Sequence, residues 1–450
     1  MSKKAKALFL SVFLVSLLLF CYINSVGYSV VSTGEFSRVF GGSKSDVAYR
    51  VIQTKDGGYA LAGQTSSYGA GLTDAWLVKT DSTGNLEWNK TYGGPSDDTV
   101  SCLLQSDDSG FMLAGLTASF GAGGSDFWLI KTDSNGNIAW NKTYGGSKND
   151  LATSIIKTAD GGYAVAGWEE SFGAGGEDFW LIKIDANGDM QWNKTYGGPL
   201  NDEAFCVIQT RDGGYALAGD TASASSTEDA WFVKTDSNGN MQWNQTYGQT
   251  GIDAMLSVVQ LNDDAYVLGG WTSSFGAGST DAWLLKTGSN GNMLWNRTYG
   301  GLLDDTAYSM VKVDDGGFAL AGSTRVSANA SLDFWLIRAD SNGELQFNKT
   351  YGEAFDDVAY SLIQTSDKAF VLTGETGVSA NGNKDALLVK TIPNQAIPES
   401  TLSQILLLIV VLAVILAITL ITTIYAIRHR KTNRKITLAN LHRNSSSLAG

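Results

Sequence analysis

A near-copy of one segment returns every 51 or 52 residues along most of the chain, and that period constrains the fold more than any other feature. The clearest copy is Asp126–Gly146, DFWLIKTDSNGNIAWNKTYGG. It holds an apolar run, a turn rich in Asp, Asn and Gly, a second run of alternating apolar residues, and a Gly-Gly stop. A fixed period of this size marks a repeat architecture, because one unit cannot bury its apolar face alone and needs its neighbours to do so. Trp76, Trp128, Trp180, Trp231, Trp283, Trp335 and then Leu387 mark seven units.

Each unit reads as four short strands. In the first, Val47–Thr54 ends at the tight turn Asp56-Gly57-Gly58, and Tyr59–Gly63 leads into a longer loop, Ser66–Thr73. Asp74–Thr80 is nearly all apolar, as suits a strand buried on both faces. The last strand follows the Asp81–Asn85 turn and alternates Trp88, Lys90 and Tyr92 with Asn89 and Thr91, a period of two. Glycine at the turns supplies the positive backbone angles that such hairpins need. Seven units of four strands predict an all-β, seven-bladed β-propeller. The ends agree: the seventh unit stops at Lys390 without a W-N-K-T-Y-G-G strand, while Phe36–Gly42 aligns with Trp88–Gly94 ahead of the first. One strand from the N-terminus would complete the last blade and close the ring.

The phrases DGGYALAG (Asp56–Gly63), FGAGGSDFWLIKTDSNGN (Phe120–Asn137) and WNKTYGG (Trp140–Gly146) resemble those of uncharacterised archaeal and bacterial cell-surface β-propeller repeat proteins. The resemblance covers about residues 36–391 and is specific for fold. It implies exposure at the cell surface and assigns no chemistry. Kelch repeats, of similar length, place their Gly pair after an apolar strand, whereas Gly57-Gly58 precedes one here.

The two ends differ in character from the repeats. Residues 1–27 have a basic start, an apolar stretch and small residues at Ser25 and Gly27, which predicts a signal peptide or an uncleaved signal anchor. Ile405–Ile427 carries no charge over 23 residues and predicts a C-terminal transmembrane helix. A basic run from Arg428 follows, so the positive-inside rule puts residues 428–450 in the cytoplasm and the propeller outside a single-pass cell membrane protein. The expected division is thus 1–27, a propeller over 28–391, a linker over 392–404, the span, and the tail. Nine of the 32 basic residues lie in the two end segments, which leaves 23 basic against 45 acidic side chains between them, a net of −22. Such a surface repels nucleic acid and favours cations or basic partners.

Histidine is confined to the tail, at His429 and His442, which removes Ser-His-Asp and Cys-His nucleophile pairs and histidine metal sites from the repeats. The Gly-rich loops never precede Lys-Ser or a helix, so phosphate-cradling loops are absent as well. Cys102 and Cys206 share a repeat position in non-adjacent units and are expected to be free.

Asp46, Asp98, Asp150, Asp202, Asp253, Asp305 and Asp357 recur in every unit, as do Asp74 and its equivalents through Asp385. Two roles fit them: side-chain bonds that fix the loops, or a carboxylate ring that attracts Ca²⁺. No other cofactor is evident. The turn Asp133-x-Asn135-x-Asn137 has part of a calcium-loop pattern and lacks the remaining ligands. One position varies between constant flanks: Gln64, Leu116, Trp168, Asp220, Trp271, Ser323 and Glu375. Either each blade presents something different there, with Trp168, Asp220, Trp271 and Glu375 as candidate ligand contacts, or the position is a drifting loop start. N-x-[ST] acceptor patterns occur at Asn89, Asn141, Asn193, Asn244, Asn296 and Asn348 on fourth strands and at Asn329 in a loop. The expected function is a membrane-anchored binding or interaction module for a carbohydrate, cation or protein. A polysaccharide lyase or glycosidase and a structural envelope component are the alternatives. An enzyme should show acidic or Tyr residues clustered off-repeat in one channel mouth.

Overall fold

The computed structural model describes residues 34–222, 227–327, 330–352, 355–377 and 383–391, together with the helical positions Tyr425, Arg428, Arg430, Lys431 and Asn433. The chain divides into two units, Met1–Ile392 and Pro393–Gly450. In the first unit 28 strands form seven antiparallel sheets of four, a seven-bladed propeller. Blade 1 comprises Asp46–Gln53, Tyr59–Thr65, Asp74–Thr80 and Leu86–Tyr92 in sequence order. Its first strand therefore begins one residue earlier than the apolar pattern indicates, and its second runs on to Thr65. The first strands ring the axis, each against the first strands of both neighbours, and Asp357–Gln364 of blade 7 returns to Asp46–Gln53 of blade 1.

Closure follows the offset legible at the ends. Phe36–Phe40 pairs antiparallel with Lys384–Lys390, Phe36 opposite Lys390 and Phe40 opposite Ala386, and completes the seventh sheet as its outer strand. Phe36 takes the seat that Trp88 occupies elsewhere. Trp88 packs under Gly136 in the next blade, where a Cβ would stand 2.8 Å from its ring, and Phe36 packs under Gly84, where a Cβ would stand 2.5 Å away. Both glycines also have φ near +75°, so the turn and the close approach require the same residue type.

The third strands hold the blades together. Asp126–Thr132 and Asp178–Ile184 are buried at every position, because each blade's sheet is covered on both faces by its neighbours. Phe127 of blade 2 meets Trp180 of blade 3 edge-on at 4.5 Å, within a core that mixes the two blades. Burying one such side chain stabilises by about 2–3 kcal/mol. Polar latches repeat around the ring. Tyr92 donates its hydroxyl to Gly136 O at 2.7 Å, and Gln105 Oε1 accepts the Lys55 amide at 2.9 Å. At the joint that closes the ring, Gln53 accepts from Ser366 N.

The first-to-second and third-to-fourth turns lie on one face of the ring, and the longer connections lie on the other, the loop face. Phe36 and Lys390, at the two ends of the propeller chain, both lie at the turn face. The expected signal segment and linker lie outside the described residues, as does the expected span 405–427 apart from Tyr425. Among the described residues no helix is long and apolar enough to cross a membrane.

Candidate ligand site at the central channel

Every first strand carries a bulge, which in blade 1 inserts Tyr49 between Ala48, opposite Gly63, and Arg50, opposite Ala62. A bulge places two residues against one and re-aims their side chains. The inserted residue is not constant: it is Tyr49, Ser101, Thr153, Phe205, Leu256, Tyr308 and Tyr360, all partly exposed along the axis. Three of them form a wall across blades 6, 7 and 1. The Tyr49 and Tyr360 rings lie 5.4 Å apart, and those of Tyr308 and Tyr360 lie 5.3 Å apart. Burial and the nearby Glu375 carboxylate push the Tyr49 hydroxyl up to about 12, and burial, with the same carboxylate, pushes Tyr360 higher still. Tyr49 and Tyr360 are therefore uncharged at neutral pH and able to donate hydrogen bonds.

The residue after the bulge forms a second ring. Ser154, Ser257, Ser309 and Ser361 accept the backbone N–H of Val207, Met310, Leu362 and Val51 in the following blade, at 3.1–3.2 Å. Cys102 and Cys206 occupy this position in blades 2 and 4 and are free thiols. Burial raises the Cys206 thiol, while a backbone hydrogen bond from Val258 and, after it, the Arg50 charge lower it. Arg50 itself is exposed.

The variable second-strand position is no loop start. The strand continues two residues beyond Gly63, so Gln64 and its equivalents lie within the sheet. Gln64 accepts from Thr99 Oγ1 of blade 2 at 2.9 Å. Asp220 lies opposite Glu203 in register. Burial and then Glu228 raise its carboxyl to about 8, with Asp202 and Glu177 adding to the shift. Burial and a hydrogen bond with Glu177 likewise raise Glu203. Glu375 is 5% exposed, is hydrogen-bonded to Tyr360 and forms an ion pair with Lys384. Trp168 and Trp271 are half-buried at the same position in blades 3 and 5. Asp220 and Glu375 thus belong to separate clusters, in blades 4 and 7. Sequence reasoning missed Tyr49, Tyr308, Tyr360, Arg50 and Glu203. A signal was there for two of them: Arg50 stands against Ser or Cys, and Glu203 against uncharged residues, at their repeat positions.

The seven first-strand aspartates are all buried, at 0–2% exposure. Asp98 Oδ1 accepts from Thr117 Oγ1, and its Oδ2 accepts from Ser119 Oγ at 2.6 Å and Gly94 N at 2.8 Å. The set that begins the third strands behaves similarly: Asp126 Oδ2 accepts from Ala122 N at 2.9 Å. These bonds fix the loop face. Blade 3 breaks the pattern, because Glu169 stands where Thr65, Thr117 and their equivalents stand elsewhere. Asp150 and Glu169 face each other in register, both 0% exposed, and Asp150 Oδ1 and Glu169 Oε1 have no hydrogen-bond partner. Burial raises both carboxyls. In the turn that resembles a calcium loop, Asp133 Oδ1 accepts from Asn135 N and Asn137 N at 2.9 and 2.8 Å, which closes the turn on itself. Among the described residues no group of three or more His, Cys, Asp or Glu side chains is arranged to hold a metal ion.

The loop-face aromatics lean on third-strand tryptophans: Phe120 lies 5.9 Å from Trp128 and Phe172 5.8 Å from Trp180, ring to ring. The sequon asparagines serve those same tryptophans. Asn141 Oδ1 accepts from Trp128 Nε1 and Asn193 Oδ1 from Trp180 Nε1, each at 3.4 Å. Asn89, Asn141, Asn193, Asn244 and Asn348 are exposed and Asn296 is half-exposed; Asn329 lies outside the described residues. A glycan bonds at Nδ2 and leaves Oδ1 able to accept.

No protein-family model matches the chain. A curated relative, the regulatory protein FlaEY of Caulobacter vibrioides, is 24% identical over 262 residues, which cover 53% of this chain and 25% of that protein. The chain thus spans about a quarter of that relative's length. Similar solved structures include Sqt1 from Chaetomium thermophilum, at 12% identity and a TM-score of 0.43 over 80% of this chain and 88% of that one. BBS1N in complex with ARL6DN gives 11% and 0.45 over 80% and 96%, and the polysaccharide lyase Uly1 gives 9% and 0.47 over 79% and 92%.

Proposed function

We propose that this chain is a cell-surface binding module, anchored through its C-terminal apolar segment, that takes its ligand at the loop-face mouth of the channel. One observation carries the reading. In a repeat whose core, turns and latches stay nearly constant, variation gathers at the bulge residues and at the second-strand position behind them. Scaffold positions are held by packing, whereas positions that meet a ligand are free to differ from blade to blade. A purely structural envelope component would have no use for five different side-chain types at one axial position. Both ends of the described propeller chain lie at the turn face, opposite the loop face. Carbohydrate and protein ligands both suit this mouth, and Trp168, Trp271 and Glu375 are its proposed contacts.

The surface location is tested by protease on intact cells. Cleavage should remove the repeats and leave a fragment containing residues 405–450. A protected full-length chain would contradict it. A second reading, an enzyme acting on polysaccharide, draws on the off-repeat Tyr49–Tyr360–Tyr308 wall beside Glu375. Shortening of a bound glycan during incubation with the purified chain would favour it over simple binding.

A further inference from the structure

Six blades carry Ser or Cys immediately after the bulge, and four of the serines accept an N–H from the next blade. Blade 1 carries Arg50 there, and a guanidinium has donors only, so it cannot accept in that ring. Blade 1 therefore gives up an inter-blade acceptor in exchange for a cation. Arg50 forms no ion pair or hydrogen bond with any described residue, although the chain as a whole carries a net charge of −13. It is exposed on a strand of the innermost ring, immediately after the bulge, so it projects into the channel. The bulge sets Tyr49 beside it, at the end of the wall formed with Tyr360 and Tyr308.

Taking the channel as the ligand site proposed above, we infer that its ligand is an anionic glycan. The carboxylate or sulfate would be held by Arg50, and the sugar rings would lie along the tyrosine wall. A guanidinium presents a planar fork that matches such anions in two hydrogen bonds. Aromatic faces take the C–H faces of sugar rings, and the phenol hydroxyls serve the ring hydroxyls. A wall that spans three blades suits a chain of several rings better than a small inorganic anion.

The repeat supplies its own controls, because Arg50→Ser installs the residue that four other blades already carry. The test is calorimetric titration of the full chain with oligogalacturonate, a sulfated oligosaccharide, a neutral maltooligosaccharide and polyglutamate. The native chain should bind at least one of the two anionic glycans at least tenfold more tightly than the neutral one, and the preferred one identifies the anion. Arg50→Ser should abolish that preference with an unchanged melting temperature. Tyr360→Ser, matching Ser101 of blade 2, should weaken every glycan alike. Equal binding by Arg50→Ser, a lowered melting temperature in that variant, or polyglutamate bound as well as the glycans would overturn the inference. Binding of neutral glycan alone would leave the channel as a binding site and refute only its anion preference. No binding of any probe would refute the inference itself.

Discussion

Glu169 shows how a single departure from a repeat changes its physics. In blade 2 the Thr117 hydroxyl donates to Asp98, whereas in blade 3 two fully buried carboxyls face each other and each has an oxygen without a donor. Leaving such a group unsatisfied costs about 1–3 kcal/mol. A proton on Glu169 restores the missing donor. The Glu169 carboxyl is raised in the folded chain by burial and by Asp150 and Asp178, while Phe172 N bonds its other oxygen and lowers it. Because the folded chain holds that proton more tightly than the unfolded one, this contribution is complete below the ordinary carboxylate range. It is lost as pH rises through the raised value. Glu169→Gln carries a permanent donor. Its melting temperature should exceed that of the native chain at pH 8 and match it near pH 4. Parallel curves for the two proteins would mean that the pair shares no proton. Nothing in the chain order announced this partnership, since Glu169 pairs with a residue 19 positions earlier.

At the scale of strands and blades, most of the structure was legible. The alternation in Leu86–Tyr92, the uniform burial of Asp74–Thr80 and the strand offset at the ends all follow from side-chain period and from where each strand must hide its faces. The bulge was not legible. A run such as Asp-Val-Ala-Tyr-Arg-Val alternates poorly, and only the pairing of Ala48 with Gly63 and Arg50 with Ala62 reveals Tyr49 as the inserted residue. The buried third-strand lysines were also missed. Lys183 is 4% exposed, yet its ammonium meets Asp160 at 2.8 Å and donates to Ile184 O at 3.1 Å. Lys183 and Thr158 hold the Asp160 carboxyl down at about 2 against desolvation, so each such turn is clamped to the strand beside it. Closure carries its own prediction. Deleting residues 28–42 removes the outer strand of blade 7 and the Phe36 seat under Gly84, and exposes the edge of Lys384–Lys390. The deletion should lower the melting temperature by several degrees, which corresponds to roughly 2 kcal/mol or more for a lost buried aromatic and strand pairing. It should also open the Lys384–Lys390 edge to protease. Unchanged stability and protease resistance would contradict the closed ring.

In the whole molecule, near-identical blades build a rigid ring, and the residues that refuse the repeat collect along its axis. The ring was readable from the period alone. The channel wall was not, because Tyr308, Tyr360 and Tyr49 come from blades 6, 7 and 1 and meet only through the closure of the ring. Asp220 draws in Glu203, Glu228 and Glu177 on one side, and Glu375 draws in Tyr360, Tyr49 and Lys384 on the other. Tight turns on the opposite face offer little adaptable surface, whereas loops and cavities on a rigid scaffold commonly carry recognition. The most direct test compares two sets of variants of the full chain, with binding to glycans and envelope extracts and the melting temperature measured on each. The first changes Trp168, Trp271 and Glu375 together to Ala; the second changes the turn-face residues Lys55, Asp107 and Arg211 to Ala. Binding should fall at least tenfold in the first set and stay unchanged in the second, with both sets folded. Loss of binding only in the turn-face set would contradict a ligand site at the loop-face mouth of the channel.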